Sequence, residues 1–372
     1  MKDRIILLTF VVNILFSACN THSVVEKEAT LKSKLGDKFL IGVALNTAQI
    51  LGNDTNALDI VKTHFNAITP ENCMKSQFIH PTEGVYDFRQ ADEFVEFGVD
   101  NGMAIIGNCL VWHSQLAPWF CFDKEGNNVS PDVLKQRLKD HITTIVERYK
   151  GKIKGWEVVN EAIMEDGSYR VGPFYQILGE EFIPLAFQYA HEADPNAELY
   201  YNDYNMHFKE KRDAVIKLVT KLKSRGIRVD AIGMQGHVGM EYPDLFNFEE
   251  SIEAFAQAGV KVMITEWDMS ALPSVNYTSN VNDTIPFRES LDPYRNTLPD
   301  SVSEKWNRKM AEYMNLFIKH ADVMSRVTVW GVSDGDSWKN DFPIRGRKDY
   351  ALLFDREYQP KAFVKKLLAS PD

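Results

Sequence analysis

Two glutamates close apolar stretches of the chain and are the residues best suited to chemistry. The segment WEVVNE at 156–161 ends in Glu161, and the segment VMITE at 262–266 ends in Glu266. A buried carboxylate is unfavourable unless it is paired or functional, because desolvation disfavours the ion. Two carboxylates that face each other can cleave a glycosidic bond, one protonating the leaving oxygen and the other attacking the sugar or activating water. The alternative is a structural ion pair of each glutamate with a buried Arg or Lys.

The elements that position these glutamates are predicted from eight short apolar or β-rich runs. They lie at 39–45, 65–69, 103–111, 153–160, 197–202, 229–235, 260–266 and 326–332. Segments of helical character alternate with them, among them 90–101, 130–149 and 209–225. Eight strands that alternate with helices predict an α/β fold, a single-domain (β/α)8 TIM barrel. An open doubly wound sheet is the alternative, but Gly42 stands alone after the first run, without a glycine-rich phosphate turn.

Polar residues cluster where these runs end. In a barrel the carboxyl ends of the strands converge on one face, where active sites are found. The residues at these ends are Glu71, Asn72, Lys75, Trp112, His113, Ser114, Gln115, Asn160, Glu161, Asn202, Asp203, Tyr204, Asn205, Gln235, His237, Glu266, Asp268, Trp330 and Trp338. Amides, imidazoles, carboxylates and indoles are suited to a sugar, whose hydroxyls accept and donate hydrogen bonds and whose apolar faces stack on aromatic rings.

A long segment of little apolar periodicity, 269–299, follows the seventh predicted strand. It exceeds the usual loop length of about 4 to 6 residues, so an insertion is predicted there. Two interpretations are open. The insertion either overhangs the mouth of the barrel or is a solvated segment with no role in binding.

Composition narrows the class of partner. The chain has 372 residues, a formal net charge of −10 and 44% hydrophobic residues, which suits one large globular domain or two small ones. The acidic balance and the lack of a Lys/Arg cluster argue against nucleic acid or an anionic membrane surface as partner. Aromatic residues make up 12% of the chain and include seven Trp. A neutral substrate therefore fits best.

The N-terminus has the pattern of an export signal. A cationic start is followed by an apolar run at 5–16 that is shorter than the roughly 20 residues of a membrane span. Small residues then precede Cys19, as in bacterial lipoprotein signals. We therefore predict a signal peptide at 1–18, lipidation of Cys19, a polar tether at 19–35 and a barrel domain at 36–372. The alternative is ordinary cleavage and release. Membrane contact is expected only through the lipid anchor, on the cell surface or the periplasmic face.

Three further cysteines remain, Cys73, Cys109 and Cys121. An odd number does not make a disulfide framework, even in a compartment that permits disulfides. Cys73 and Cys109 could pair if their strands are neighbours, but buried free thiols are the favoured interpretation.

The motifs together resemble those of glycoside hydrolase family 10. They are TPENCMK at 69–75, LVWHSQ at 110–115, WEVVNEA at 156–162, NDYN at 202–205, QGH at 235–237, ITE at 264–266, WG at 330–331, SW at 337–338, LLFD at 352–355 and YQP at 358–360. The resemblance runs from about residue 36 to the C-terminus. Typical members are retaining endo-β-1,4-xylanases on a (β/α)8 barrel, so it implies hydrolysis of xylan or xylo-oligosaccharides.

The resemblance also implies roles for individual residues. Glu161 would be the general acid/base and Glu266 the nucleophile, with Asn160, His237 and Asp268 in support. The residues implied in substrate binding are Glu71, Asn72, Lys75, Asn108, Trp112, His113, Gln115, Gln235, Trp330 and Trp338, with Tyr204 and Asn205 on the leaving-group side. No cofactor and no metal are expected, and a monomer is expected. His113 and His237 also lack the partner spacing of a metal site.

The chain departs from the family pattern at several positions. Cys73 stands where the family usually has Glu, Ser76 where it has an apolar residue, and Asn108 where it has His. Asn108 bears most on the site, because that histidine ordinarily touches the sugar at the cleavage point. Glu157 and Trp267 are conservative replacements of the commoner Asp and aliphatic residue. None of the departures removes a catalytic carboxylate.

Two other functions remain as alternatives. One is a non-catalytic polysaccharide-binding lipoprotein on a decayed enzyme scaffold, against which the retention of Asn160, Glu161, His237, Glu266 and Asp268 argues. The other is the same chemistry on another β-glycan, such as cellulose or mixed-linkage glucan. The extra hydroxymethyl group of glucose would then have to fit near Trp330 and Trp338.

Overall fold

The computed structural model describes residues 28–275, 280 and 283–371. Within this part of the chain nine strands pair in parallel. They are β1 (Leu40–Leu45), β2 (Ala67–Pro70), β3 (Ala104–Trp112), β4 (Gly155–Asn160), β5 (Glu198–Asp203), β6 (Ala231–Met234), β7 (His237–Gly239), β8 (Lys261–Ser270) and β9 (Met324–Val329).

Eight of these strands close into a barrel. The order β6-β5-β4-β3-β2-β1-β9-β8 is completed by pairing of β6 with β8, with Ala231 opposite Lys261. Pairing of β1 with β9 joins the first and the last of these strands, with Leu40 opposite Arg326. The predicted (β/α)8 barrel is therefore confirmed, and the open sheet is wrong. Each of the eight predicted runs overlaps a barrel strand, whereas β7, which pairs only with the outer end of β8, was not predicted.

Helices surround the barrel. They are α1 (Leu31–Leu35), α2 (Thr47–Ile50), α3 (Thr55–His64), α4 (Ser76–Ile79), α5 (Arg89–Asp100), α6 (Pro131–Arg148), α7 (Pro173–Leu178), α8 (Phe182–Ala193), α9 (Lys209–Ser224), α10 (Leu245–Gln257), α11 (Asp300–Lys319) and α12 (Ala362–Ala369). The predicted helices at 90–101, 130–149 and 209–225 are confirmed as α5, α6 and α9. In α6 the Ser130 hydroxyl accepts from the Val133 amide, and Pro131 occupies the first turn, where its missing N–H is not needed.

Two apolar clusters fill the molecule. The large one lies between the helices and the barrel and contains Trp156, Trp267 and Trp306, all almost completely buried. The small one comprises Ile106, Tyr200, Ala231 and Met263, which come from four different barrel strands. The Arg326 guanidinium lies against this small cluster, 3.6 Å from the Met263 sulfur, and donates to Glu157.

The N-terminal helix belongs to the packed domain. Leu31 and Leu35 of α1 are buried, although residues 31–35 fall in the range predicted as tether. The packed domain thus begins before residue 36. The predicted signal peptide and Cys19 lie outside the described residues. No described helix is both long enough and apolar enough to cross a membrane.

The described parts of the insertion after β8 pack on the loop that follows β9. The Ile285 amide donates to the Pro343 carbonyl at 2.7 Å, and the Tyr350 hydroxyl donates to the Tyr294 carbonyl at 2.7 Å. Arg295 Nη1 donates to the Gly346 carbonyl at 2.6 Å. Because both loops leave the carboxyl ends of adjacent barrel strands, these contacts favour the interpretation that the insertion lies beside the mouth.

The three cysteines of the described chain are free and buried. The expectation of buried thiols for Cys73, Cys109 and Cys121 is confirmed, and the Cys73–Cys109 disulfide is absent from this structure. Packing rather than cross-linking therefore holds the described domain together.

Candidate active site

The two glutamates are brought together at the carboxyl ends of β4 and β8, and a chain of amides connects them. Gln235 Nε2 donates to Glu161 Oε1 at 2.9 Å, and Asn202 Nδ2 donates to Glu266 Oε1 at 2.9 Å. The Asn160 side-chain oxygen accepts from both amides, at 3.4 Å from Gln235 and 3.1 Å from Asn202. The amides therefore fix the two carboxylates relative to each other without adding charge.

Glu161 lies in an environment that favours the protonated carboxyl. It is 6% exposed, and burial, followed by the charges of Asp203 and Glu266, raises its pKa to about 7. Hydrogen bonds from Gln235 and from Trp112 Nε1, which donates to Glu161 Oε2 at 2.9 Å, partly oppose this rise. A carboxyl that holds its proton up to neutral pH can act as a general acid.

Glu266 lies in the opposite environment, beside a cation. His237 Nε2 is 3.1 Å from Glu266 Oε2, and His237 Nδ1 is 2.8 Å from Asp268 Oδ2. Burial alone would lower the pKa of His237, but Asp268 and Glu266 outweigh burial and raise it to about 9. Protonated His237 then donates to both carboxylates. A charged hydrogen-bond donor thus lies beside Glu266, which suits a carboxylate that acts as a nucleophile.

Asp268 holds the imidazole in place and is itself held by one hydrogen-bond donor and one cation. Trp338 Nε1 donates to Asp268 Oδ2 at 2.8 Å, and the Lys339 ammonium lies 3.3 Å from Asp268 Oδ1. Burial would raise the pKa of Asp268, but His237 and Lys339 outweigh it and lower the pKa. The ionised carboxylate thus keeps His237 charged.

The polar residues that follow β2 and β3 form one hydrogen-bonded group. Lys75 Nζ donates to Asn72 Oδ1 at 3.1 Å and to Gln115 Oε1 at 2.8 Å, and it lies 4.7 Å from the centre of the Trp112 ring. Gln115 Nε2 donates to the same Asn72 oxygen at 3.1 Å, which closes the group of three side chains. Burial raises the pKa of nearby Glu71 to about 7. This rigid group presents donors and acceptors beside the two catalytic candidates.

Asn108 and His113 are both positioned by β3: Asn108 lies within this strand, and His113 directly follows it. The His113 ring meets the Trp112 ring nearly at a right angle, with 5.9 Å between centres, and burial, with the nearby Arg170 charge, lowers the pKa of His113 to about 3. His113 is therefore neutral. Asn108 is 2% exposed, and its Nδ2 donates to the Pro70 carbonyl at 3.4 Å. Its side chain is thus bonded to the backbone of β2, and its contact with a sugar remains a prediction.

Two indoles flank the nucleophile candidate. The rings of Trp338 and Trp330 lie 4.8 Å and 6.5 Å from the His237 ring, centre to centre. Phe342 stacks on Trp338 at 5.4 Å with 19° between the planes. The stacked ring and the bond to Asp268 fix the orientation of Trp338.

Tyr204 and Asn205 lie on the Glu161 side, directly after β5. The Tyr204 hydroxyl accepts from Arg170 Nη2 at 2.7 Å, and Asn205 Nδ2 donates to Glu165 Oε1 at 3.2 Å. Arg170 and Glu165 both belong to the loop after β4. Most of the site residues predicted from the sequence thus lie at or beyond the carboxyl ends of the barrel strands, whereas Asn108 lies in the middle of β3 and Glu266 within β8.

Several contributing residues were not assigned a role from the sequence. Asn202 bonds Glu266, and its position at the end of β5 was the available signal. Gly233 leaves room for it, since a Cβ there would lie 2.4 Å from Asn202 Oδ1. Arg170 donates to the backbone of Glu161 at 2.8 Å and carries no signal in its local sequence.

Within the described residues, neither glutamate forms the structural ion pair with Lys or Arg that the sequence left open. Within the described residues, neither Glu161 nor Glu266 has a Lys or Arg nitrogen within 4.0 Å, and the ionic partner of Glu266 is His237. Buried ion pairs of this region involve other carboxylates, among them Glu157 with Arg326 at 3.4 Å. Within the described residues, both Glu161 and Glu266 therefore lack a fixed Lys or Arg partner.

Comparison with known proteins identifies the family of this chain. The model of glycosyl hydrolase family 10 matches residues 30–370. An endo-1,4-beta-xylanase A of Xylanibacter ruminicola is 46% identical over 93% of this chain and 94% of its own, and a beta-1,4-xylanase of Dictyoglomus thermophilum is 40% identical over 89% and 88%. A solved GH10 endoxylanase from a sugarcane soil metagenome superposes with a TM-score of 0.87 at 40% identity, covering 91% of this chain and 99% of its own. The chain belongs to glycosyl hydrolase family 10.

Proposed function

We propose that the protein is an endo-1,4-β-xylanase that hydrolyses xylan by double displacement, with Glu161 as acid/base and Glu266 as nucleophile. The observation that carries the proposal is the pair of buried carboxylates in opposite environments. Glu161 has neutral donors and a pKa raised to about 7, whereas Glu266 accepts from a protonated imidazole. The relatives named as xylanases support xylan as the substrate.

In the first step a Glu266 oxygen attacks the anomeric carbon. The bond from that carbon to the leaving oxygen breaks, and the proton of Glu161 passes to the leaving oxygen. Glu266 becomes an ester and loses its charge. Because the Glu266 charge is one of those that raise the pKa of Glu161, this pKa falls after the step.

In the second step Glu161 acts as a base. Its carboxylate takes a proton from water, the water oxygen bonds to the anomeric carbon, and the ester bond to Glu266 breaks. Two inversions at the same carbon give a product with the original β configuration. Glu161 is reprotonated and Glu266 is again a carboxylate.

The remaining residues would bind the chain on either side of the cleavage point. The non-reducing side is assigned to Glu71, Asn72, Lys75, Asn108, Trp112, His113, Gln115, Gln235, Trp330 and Trp338, and the leaving-group side to Tyr204 and Asn205. Asn160 would contact the 2-hydroxyl of the sugar being cleaved, a bond that is expected to strengthen at the transition state.

Reducing-sugar release from xylan by the purified protein tests the activity. Glu266→Ala should lower kcat by at least about a thousandfold, because no covalent intermediate can form. Proton NMR of the first products should show the β anomer, and an α anomer formed first would contradict the nucleophile role of Glu266. Faster turnover of aryl cellobioside than of aryl xylobioside would instead favour another β-glycan. Binding of xylan without any turnover would favour the non-catalytic alternative.

We also propose that the protein is exported and held by a lipid on Cys19, as a monomer. The signal-like sequence at 1–18 supports export. Cells expressing the full chain and fed radiolabelled palmitate should yield a labelled, membrane-associated protein. Cys19→Ala should abolish the label, and an unlabelled, released wild-type protein would contradict the anchor. Light scattering of the released domain should give the mass of one chain.

A further inference from the structure

The peptide of Glu161 has an unusual conformation that several groups hold in place. Its φ is 59°, in the left-handed region, where a residue with a side chain is strained by roughly 1 to 3 kcal/mol. The Glu161 amide donates to the Asn202 carbonyl at 2.9 Å. The Ala162 amide donates to the Tyr201 hydroxyl at 3.1 Å. Such a conformation persists only where its surroundings fix it.

Arg170 makes two further bonds at this point. Its Nε donates to the Glu161 carbonyl at 2.8 Å, and its Nη2 donates to the Tyr204 hydroxyl at 2.7 Å. The guanidinium is planar and rigid, so its two donors set the spacing between their acceptors. One side chain therefore fixes Tyr204 relative to the backbone that carries the Glu161 carboxyl.

Tyr204 is also fixed from its ring face. The Lys211 ammonium lies 3.9 Å from the centre of the Tyr204 ring. Lys211 is fully buried and pairs at 2.8 Å with Asp203, which is fully buried as well. The Tyr204 ring is therefore a rigid reference for Arg170.

We propose that Arg170 is a positioning residue that couples Tyr204, on the leaving-group side, to the placement of the Glu161 acid. The inference rests on the proposed function. Proton transfer from Glu161 matters most when the leaving oxygen is a poor leaving group and little when the leaving group departs readily as an anion. Loss of Arg170 should therefore lower kcat/KM strongly for a substrate with a poor leaving group and only slightly for a substrate with a good one.

The experiment compares two substrates that share the same xylobiose and differ in the leaving group, phenyl β-xylobioside and 2,4-dinitrophenyl β-xylobioside. The kcat/KM of each reports the first displacement. In Arg170→Gln, kcat/KM for the phenyl substrate should fall by about ten- to a hundredfold, the size expected for a slightly misplaced catalytic group. For the dinitrophenyl substrate it should fall by less than about threefold, because that step needs little proton transfer.

Arg137→Gln is the matched control. Arg137 also donates to a backbone carbonyl, that of Trp119, and to a side chain, Glu83, but outside the site. The ratio of kcat/KM for the phenyl substrate to kcat/KM for the dinitrophenyl substrate should be the same in Arg137→Gln as in the wild type. Tyr204→Phe removes one acceptor of Arg170. In the double variant with Arg170→Gln, kcat/KM should therefore fall by less than the product of the two single falls.

The outcomes separate the inference from the proposed function. Wild-type protein that turns over neither substrate overturns both. Active wild type with an equal loss on both substrates, or with no loss, in Arg170→Gln overturns the positioning role alone. If circular dichroism shows that Arg170→Gln does not fold, Arg170→Lys takes its place. A lysine cannot reproduce the fork of two donors, so the same selective loss is expected and its absence is equally decisive.

Discussion

Glu157 lies within β4 and Glu161 directly follows that strand, and these two buried glutamates have different partners. Glu157 accepts from the Arg326 guanidinium at 3.4 Å, and Arg326 also donates to Thr328 Oγ1 at 2.7 Å. Among the described residues, the carboxyl group of Glu161 accepts only from neutral groups, the Gln235 amide, the Trp112 indole and, at 3.5 Å, the Asn160 amide. Burial is common to both glutamates, so burial alone does not identify the reactive one.

The difference lies in what happens when the proton moves. Burial and the charge of Glu266 raise the pKa of Glu157 to about 8 despite the opposing charge of Arg326. Glu161 can gain or lose a proton while its neutral donors remain bonded, and its pKa responds to the charge of Glu266. The charge of Glu266 acts on both glutamates, so the hydrogen-bond partners make the difference: a fixed cation suits a structural carboxyl group, whereas neutral donors suit one that titrates during the reaction.

Glu161→Gln should have the largest effect. We expect kcat/KM on xylo-oligosaccharides to fall by about 10² to 10⁴, the usual contribution of a general acid, with the thermal midpoint nearly unchanged. Steady-state kinetics with xylotetraose and a thermal melt measure both quantities. A fall of less than tenfold would remove the proposed distinction between the two glutamates.

Glu157→Ala should act mainly on stability. Removing the carboxyl group leaves the buried Arg326 guanidinium without one of its acceptors, which destabilises a protein by about 1 to 3 kcal/mol. Urea unfolding followed by fluorescence measures the change. The control is Glu181→Ala, which breaks an exposed pair with Arg225 and should change the unfolding free energy by less than about 1 kcal/mol. If Glu157→Ala lowers kcat/KM more than Glu161→Gln does, the comparison fails.

The pH profile should report the Glu161 proton. The acid must be protonated, and its raised pKa extends the protonated form from the ordinary range of a glutamate up to about pH 7. Above that pH, kcat/KM should fall about tenfold per pH unit as Glu161 ionises. His237, with a pKa of about 9, remains charged over this range and does not cause the fall. The same slope in Glu161→Gln would assign it to another group.

Gly233→Ala should have the smallest effect of the four. The added methyl carbon would lie 2.4 Å from Asn202 Oδ1 and 2.7 Å from Thr265 Cγ2, so the Asn202 amide must move away from Glu266. We expect kcat/KM to fall by roughly tenfold, as for a misplaced supporting group. Gly239→Ala is the control, because its Cβ would meet nothing closer than the Tyr242 carbonyl at 3.8 Å. Unchanged kinetics in Gly233→Ala would show that the amide chain does not depend on this spacing.

The barrel and the position of its mouth could be predicted because they follow from local pattern. Apolar runs that alternate with capped helices such as α6 specify strand and helix, and closure then puts every strand end on one face. The β7 strand could not be predicted, because His237–Gly239 is three residues long and forms only by pairing with the extended end of β8.

The partners of the site residues were harder to predict because they depend on contacts between loops. The sequence contains Arg170 and Tyr204 in different loops, and nothing in either loop indicates that the guanidinium bonds the Glu161 carbonyl. Likewise, Glu157 and Glu161 stand in the same motif, and only the position of Arg326 on β9 distinguishes their roles.

The three free cysteines of the described domain allow its local opening to be measured by thiol labelling. Burial raises the pKa of the Cys73 and Cys121 thiols to about 12 and that of Cys109 well above its usual range, so none of them is a reactive thiolate in the folded chain. An alkylating reagent can then modify them only when the surrounding structure opens. The rate of labelling at each position would therefore report local opening near the mouth, at Cys73 and Cys109, separately from opening beside α6, at Cys121.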